Sequence, residues 1–373
     1  MTRAPGTIRD SIVAYLSTLG GEASVADINR AVAAKLGKTS ASSIRSYLNL
    51  NVPGIFERTK RGRYRLKEFN QTANVHFVTL EPRVQHQKAT LYHADCFQWL
   101  ESVAPKSIHA VVTDPPYGVV EYSRKEIGKL RSGKGGVWRL PPSFDGHKRA
   151  PLPRFTVLTE EDRQQLFSFF RRLGVLLGRA IVPGGNIVLA SNPLLSHLVA
   201  AAMAESGLEM RGYIARLTMT MRGGDRPKNA HEEFDDVSVM PRSQWEPWVI
   251  LRVPLEGRVQ DNLRKWGTGG FRRLSADKPF GDVIRSRPTQ KQERSIAPHP
   301  SLKPQDFLRQ IVRASLPLGE GVVLDPFAGS GSTLAAANAV GYESVGVEAD
   351  PKFVRLAEKA IPRLSELRLV NPI

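Results

Sequence analysis

A single cysteine, Cys96, stands among 373 residues. One thiol excludes an internal disulfide framework and any cysteine-based zinc site, and it suits a reducing, cytoplasmic setting. Apolar runs long enough to cross a bilayer are missing, and the first residues carry no signal-peptide core, so neither a membrane partner nor export is expected. Low-complexity tracts and internal repeats are absent as well. Acidic residues are scarce: 36 Asp and Glu face 53 Lys and Arg, for a formal net charge of +17. That imbalance suits a polyanionic partner bound in a salt-dependent way. The length accommodates one large α/β domain and a smaller second one.

Against this background, Asp114-Pro115-Pro116-Tyr117 is the most informative stretch. It follows the apolar run Ile108–Thr113, which reads as a buried strand. Two prolines cannot continue a ladder, so the strand ends in a carboxylate and carbonyls that no neighbouring strand uses. An aromatic ring follows at once. Acceptors beside a ring suit a planar base with an exocyclic amine, the acceptors taking the NH2 hydrogens and the ring stacking on the base. A strand-ending turn with a core tyrosine is the plainer reading.

A second motif lies far downstream. Val322-Val323-Leu324-Asp325 reads as a strand ending in an acid, and Pro326-Phe327-Ala328-Gly329-Ser330-Gly331-Ser332-Thr333 as a tight loop opening a helix at Leu334. Small residues permit close backbone approach to a ligand, and a helix N-terminus offers N–H donors. The next strand, Ser344–Glu348, ends in a carboxylate about 20 residues on, where a ribose-binding acid belongs in a nucleoside-binding βαβ unit. The loop lacks Gly-Lys-Ser/Thr, which disfavours a nucleoside triphosphate site.

The two motifs together resemble the S-adenosylmethionine-dependent DNA amino-methyltransferases, over roughly residues 88–362. Asp114–Tyr117 is similar to their catalytic motif and Asp325–Thr333 to their cofactor motif. The catalytic motif comes first, as in the circularly permuted beta group. The resemblance implies a mostly parallel, doubly wound, Rossmann-like α/β sheet, S-adenosyl-L-methionine as cofactor, no metal, and double-stranded DNA as substrate. It also implies that Asp95, at the end of a strand Leu91–Asp95, and Glu348 serve the cofactor's adenosine, although an aspartate there could equally cap a helix. Ser301 and Lys303 look like the family's Ser-x-Lys-Pro segment packing over the cofactor, against the alternative of a plain helix start. Asp-Pro-Pro-Tyr is typical of adenine-N6 enzymes and Ser-Pro-Pro-Tyr of cytosine-N4 enzymes, so a site-specific adenine-N6 enzyme, of the restriction–modification kind, is expected. A cytosine-N4 enzyme and a DNA-binding regulator with a vestigial methyltransferase fold remain the alternatives. Recognition sequence, partner restriction nuclease and homodimer formation have no residue signature.

Residues 1–68 form a separate expected unit, joined by a polar linker over 69–87 to a methyltransferase domain over 88–373. Apolar residues Ile8, Ile12, Tyr15, Leu16 and Leu19 mark a first helix; Ser24 caps a second, ending at Gly37; a third follows Thr39-Ser40. A hairpin over 54–66 turns at Lys60-Arg61-Gly62. This pattern looks like a winged helix, whose third helix enters the major groove and whose wing touches phosphate. Arg45, Lys60, Arg61 and Arg63 are then candidate DNA contacts, unless the module binds protein instead. Within the large domain, the stretches near 118–155 and 254–297 read as irregular and basic and the one near 221–244 as polar, all three expected as DNA-contacting insertions. They carry Arg124, Lys125, Arg264, Lys265, Arg272 and Arg273 as further candidates.

Overall fold

The computed structural model describes residues 7–19, 21–37, 40–50, 52, 56–66, 81–116, 143–144, 147–148, 159–218, 224, 226–227, 229–299 and 301–369. Tyr117, Arg124 and Lys125 lie outside the described residues. The chain divides into two compact units, Met1–Val78 and Thr79–Ile373.

The first unit carries helices α1 (Thr7–Leu19), α2 (Val25–Leu36) and α3 (Ala41–Leu50), with strands β1 (Ala23–Ser24), β2 (Phe56–Lys60) and β3 (Arg63–Leu66). Ser24 caps α2 by accepting from Asp27 N at 3.2 Å. Ile12, Leu16, Ile28, Val32, Ile44, Leu48 and Phe56 close one core, which the helical spacing in the sequence anticipates. β2 and β3 form the expected hairpin, and β3 also pairs with the two-residue β1. Arg45, Lys60, Arg61 and Arg63 are exposed, but Arg63 is engaged by Glu22 at 2.9 Å.

The second unit is built on a nine-stranded sheet. Its strands are β4 (Val84–His86), β5 (Ala89–His93), β6 (Ile108–Thr113), β9 (Ile181–Ala190), β10 (Glu209–Leu217), β11 (Trp245–Arg252), β12 (Val283–Arg285), β13 (Val322–Asp325) and β14 (Glu343–Glu348). A separate two-residue pair, β7 (Ser143–Phe144) and β8 (His147–Lys148), lies in the long basic stretch. Spatial order is β12-β10-β11-β9-β6-β13-β14-β5-β4. The five strands from β9 through β5 are mutually parallel, while β11 runs antiparallel to both β9 and β10.

Both faces are covered. On one lie α4 (Cys96–Ser102), α5 (Glu160–Ala180) and α6 (Ser196–Glu205), packed on Val111, Ile187, Leu189, Leu324 and Val347. The alternate residues Ala110, Val112, Val188, Ala190 and Val323 face the other side. There α9 (Gln305–Ser315) and α10 (Ser332–Ala339) cover them, while α11 (Pro351–Ser365) packs against α10. Two buried faces explain why β6, β9 and β13 read as continuous apolar runs rather than alternating ones. The short helices α7 (Val259–Trp266) and α8 (Lys291–Ile296) complete the unit.

Two expectations are corrected. The stretch 69–87 is not linker throughout, because Val84–His86 forms the edge strand β4 paired with β5. A three-residue strand with one buried apolar residue, Val84, leaves no periodic signal. Within β9, Pro183-Gly184-Gly185 makes an irregularity where the register against β6 shifts. Gly184 N donates to Val253 O at 3.0 Å and Val253 N to Gly185 O at 3.1 Å, so the main chain stays paired there. Finally, 254–297 is not irregular throughout, since it holds α7, β12 and α8.

Candidate active site

Parallel pairing of β5, β14, β13 and β6 places Asp95, Glu348, Asp325 and Asp114 at the carboxyl ends of neighbouring strands, on one rim. Adjacent strands stand about 4.8 Å apart, so these four acids lie close along that rim. Strands β6 and β13 are tied directly. Thr113 Oγ1 donates to Asp325 Oδ1 at 2.7 Å, and Phe327 N donates to the same oxygen at 3.1 Å. Asp325 is 3% exposed, and burial pushes its carboxyl up to about 6 despite these donors. It therefore sits beneath the loop as the joint between β13 and β6.

The loop Pro326–Thr333 folds back under its own hydrogen bonds. Ala328 N donates to Val347 O at 2.9 Å and Gly331 N to Ala328 O at 2.7 Å. Gly331 has φ +77°, and a Cβ there would meet Ile361 at 2.4 Å, so only glycine fits. Ser330 and Thr333 are buried, Ser332 starts α10, and Pro326 and Ala328 are buried beneath. Glu348 Oε2 accepts from Gly329 N at 2.8 Å and its Oε1 from Asp350 N at 2.7 Å. Burial raises the pKa of this carboxyl, and the backbone donors of Asp350, Gly329 and Ala349 pull it back. A carboxylate has about four lone-pair sites, which leaves capacity beside these donors for a ribose hydroxyl. A bare glycine loop, a helix N-terminus and that acid fit a nucleoside.

Asp95 is exposed and accepts from Phe97 N at 3.0 Å and Gln98 N at 3.1 Å, capping α4. Of its two readings, the cap is the contact present. Cys96 beside it is buried, its thiol pushed up to about 12 by burial and by the Asp95 charge, which makes it inert as a nucleophile. Ser301 N donates to His299 Nδ1 at 3.2 Å; the His299 ring lies 4.3 Å from that of Phe353, centroid to centroid. Burial, and secondarily the charge of Lys303, holds His299 down to about 4, so it is neutral near pH 7.

Lys303 reaches the Asp-Pro-Pro strand end. Its Nζ donates to Asp114 Oδ2 at 2.5 Å and lies 3.3 Å from Glu246 Oε1. Glu246 Oε2 accepts from Arg216 Nη1 at 2.8 Å and Trp248 Nε1 at 3.2 Å. Burial opposes ionisation of Glu246, yet Lys303 and Arg216 hold its carboxyl at about 2. Sequence reasoning missed Arg216 and Glu246. Their signal was a charged residue inside each of two apolar strands, which are directly opposed across β10 and β11.

The basic candidates divide by position. Arg264 and Lys265 lie on α7, where Asn262 Nδ2 donates to Pro183 O at 2.9 Å and Lys106 Nζ stands 5.3 Å from the centroid of the Trp266 ring. Arg264 pairs with Asp261 at 3.1 Å and Lys265 with Glu256 at 2.5 Å. Arg272 Nη1 donates to Tyr342 Oη at 2.7 Å, and Arg273 O accepts from Arg313 Nη1 at 2.9 Å. Pro183, Lys106 and Tyr342 all sit at or before the amino ends of β9, β6 and β14. These four cations therefore belong to the edge opposite Asp114. The stretch between β10 and β11 does open on the catalytic rim, but Glu232, Glu233, Asp235 and Asp236 are exposed in it alongside Arg226 and His231. Among the described residues no cluster could hold a metal, and no helix is long and apolar enough to cross a membrane.

An α/β sheet with a glycine loop beside an Asp-Pro-Pro strand end fits the methyltransferase class that the sequence motifs resemble. Comparison with known proteins names the family. The family model described as DNA methylase matches residues 108–359, more than half of the chain. The chain belongs to this N6/N4 DNA methylase family and is a DNA methyltransferase. The methyl donor is S-adenosyl-L-methionine. Similar proteins include the type II methyltransferase M2.LlaDCHI of Lactococcus lactis subsp. cremoris, 24% identical over 75% of this chain and 92% of the relative. Another is M2.DpnII of Streptococcus pneumoniae, 24% identical over 77% and 94%. Among solved structures, the fold resembles the PvuII DNA methyltransferase, described as cytosine-N4-specific, with a TM-score of 0.50 and 13% identity over 78% of this chain and 90% of that one.

Proposed function

We propose that the protein transfers a methyl group to the N6 amine of adenine in a specific duplex DNA sequence. The observation that carries this reading is the position of Asp114-Pro115-Pro116 at the end of β6, one strand from the cofactor loop and tied to it through Thr113 and Asp325. An adenine amine is a poor nucleophile because its lone pair is delocalised into the ring. The Asp114 carboxylate and Pro115 carbonyl would accept its two hydrogens, favouring a pyramidal nitrogen with a localised lone pair. Tyr117 would stack on the base once it is rotated out of the duplex. The loop Asp325–Thr333 and Glu348 would hold S-adenosyl-L-methionine, which when bound supplies a methyl activated by a positive sulfur. Positioning and electrostatics then suffice, with no covalent enzyme intermediate.

Aspartate rather than serine at position 114 supports adenine over cytosine through the family resemblance. Circular permutation is supported by the strand order, in which β13 and β14 come late in the chain yet lie between β6 and β5. A winged-helix role for the first unit is supported by its three helices and hairpin with exposed Arg45, Lys60 and Arg61. Mass spectrometry of nucleosides after reaction with duplex DNA tests the assignment: N6-methyladenine is expected, and N4-methylcytosine alone would reject it.

A further inference from the structure

Four charged side chains form a buried line behind the catalytic loop: Asp114, Lys303, Glu246 and Arg216, none more than 16% exposed. The far end is fixed firmly. Arg216 and Trp248 both donate to Glu246 Oε2, and the Arg216 guanidinium lies 5.0 Å from the centroid of the Phe307 ring. Buried ion pairs are a poor way to stabilise a sheet, since packed apolar side chains of similar volume often do as well or better. Charge order is the informative feature. Reading away from the catalytic loop, the signs run minus, plus, minus, plus.

We propose that Glu246 is a positioning residue for methyl transfer: anchored by Arg216 and Trp248, its carboxylate holds the Lys303 ammonium on Asp114 and offsets that ammonium's charge. The inference rests on the methyl-transfer reading and adds two residues to it. As the target nitrogen takes the methyl, the electrons of the breaking S–C bond stay with sulfur and positive charge arises on nitrogen. The surplus amine proton then leaves to water. Asp114, Lys303 and Glu246 together present net negative charge to that nitrogen, with Arg216 screened behind Glu246. Remove the Glu246 charge and the same site carries two cations against one carboxylate, which opposes the developing charge where screening is weakest. Lys303 also fixes Asp114 Oδ2, so holding Lys303 orients the acceptor.

Glu246→Gln keeps the shape and removes the charge, and the full chain serves for every measurement. Labelled methyl transfer to duplex DNA by the wild type comes first; its absence would remove both the functional reading and this inference. With wild-type turnover present, E246Q should lower kcat about 30-fold or more while KM for DNA and calorimetric affinity for S-adenosyl-L-methionine stay within about threefold. Adding Arg216→Met leaves Asp114 and Lys303 as a neutral pair, and the double variant should recover about fivefold or more over E246Q. A packing role predicts the opposite, a double variant worse than either single one. Glu246→Asp retains the charge and should be faster than E246Q, which keeps the test decisive if the amide variant folds poorly. Turnover of E246Q within about threefold of wild type, a double variant no faster than E246Q, or a matching loss of cofactor affinity overturns the proposal while leaving methyl transfer standing.

Discussion

Replacing Asp325 with asparagine should change how stability depends on pH, and the structure sets the size. Burial raises this carboxyl from 3.8 to about 6, a rise worth about 3 kcal/mol between its two protonation states. The folded state binds the proton more tightly than the unfolded chain does. Its contribution is thus complete below about pH 4 and is lost as pH rises through about 6; above that the full penalty of ionising a buried group stands. Asparagine cannot ionise, yet its amide oxygen can still accept from Thr113 Oγ1 and Phe327 N. The stability of Asp325→Asn relative to wild type should therefore rise by up to about 3 kcal/mol between pH 4 and pH 7. Urea unfolding followed by tryptophan emission reads the right unit, because Trp99, Trp138, Trp245, Trp248 and Trp266 all lie within Thr79–Ile373. A difference constant to within about 0.5 kcal/mol across that range would refute the assignment of a raised pKa to this residue.

Asp114→Ala should reduce methyl transfer about 100-fold or more with cofactor affinity little changed, since its carboxylate serves the target amine; turnover within a few-fold of wild type would reject that role. Glu348→Ala and Gly329→Val should weaken S-adenosyl-L-methionine binding by calorimetry whether or not DNA is present. The first removes the ribose acceptor, and the second adds a side chain at φ +51°, where a Cβ already approaches His299 Nε2 to 3.2 Å. Deleting residues 1–68 should weaken DNA binding and flatten its salt slope by about 0.9 for each phosphate that the module neutralises, with cofactor affinity retained. An unchanged slope would point to a protein-binding module.

Much of the site was legible because its parts carry strong local signals. Apolar runs that end in Asp114 and Asp325 mark strand ends, and prolines or small residues forbid the strand from continuing. What failed to show was every relationship that depends on register or on the ends of the sheet. Lys303 reads as a cofactor residue from its neighbours in sequence, but the turn before α9 delivers its ammonium to Asp114. Arg216 and Glu246 meet only because β10 and β11 pair with one particular register. Arg264, Lys265, Arg272 and Arg273 look like DNA contacts by composition, and composition says nothing of which edge they occupy. The β9 irregularity was hidden because Pro-Gly-Gly also makes turns, and only pairing with Val253 keeps it in the sheet.

The place of β13 bears on how the protein is made. Its neighbours are β6, more than 200 residues earlier in the chain, and β14, which follows it. The Thr113–Asp325 hydrogen bond alone spans 212 positions. A ribosome adds about 5–20 residues per second, so β6 emerges on the order of ten seconds before its partner exists. During that interval the β6 edge that pairs with β13, and the Ala110 and Val112 face that α9 and α10 cover, have no native partner, a state prone to mispairing. Contacts of such separation also slow folding, since loop closure precedes any gain from pairing. The loop Pro326–Thr333 and the Asp114 strand end therefore come together only in a late closing step of biosynthesis.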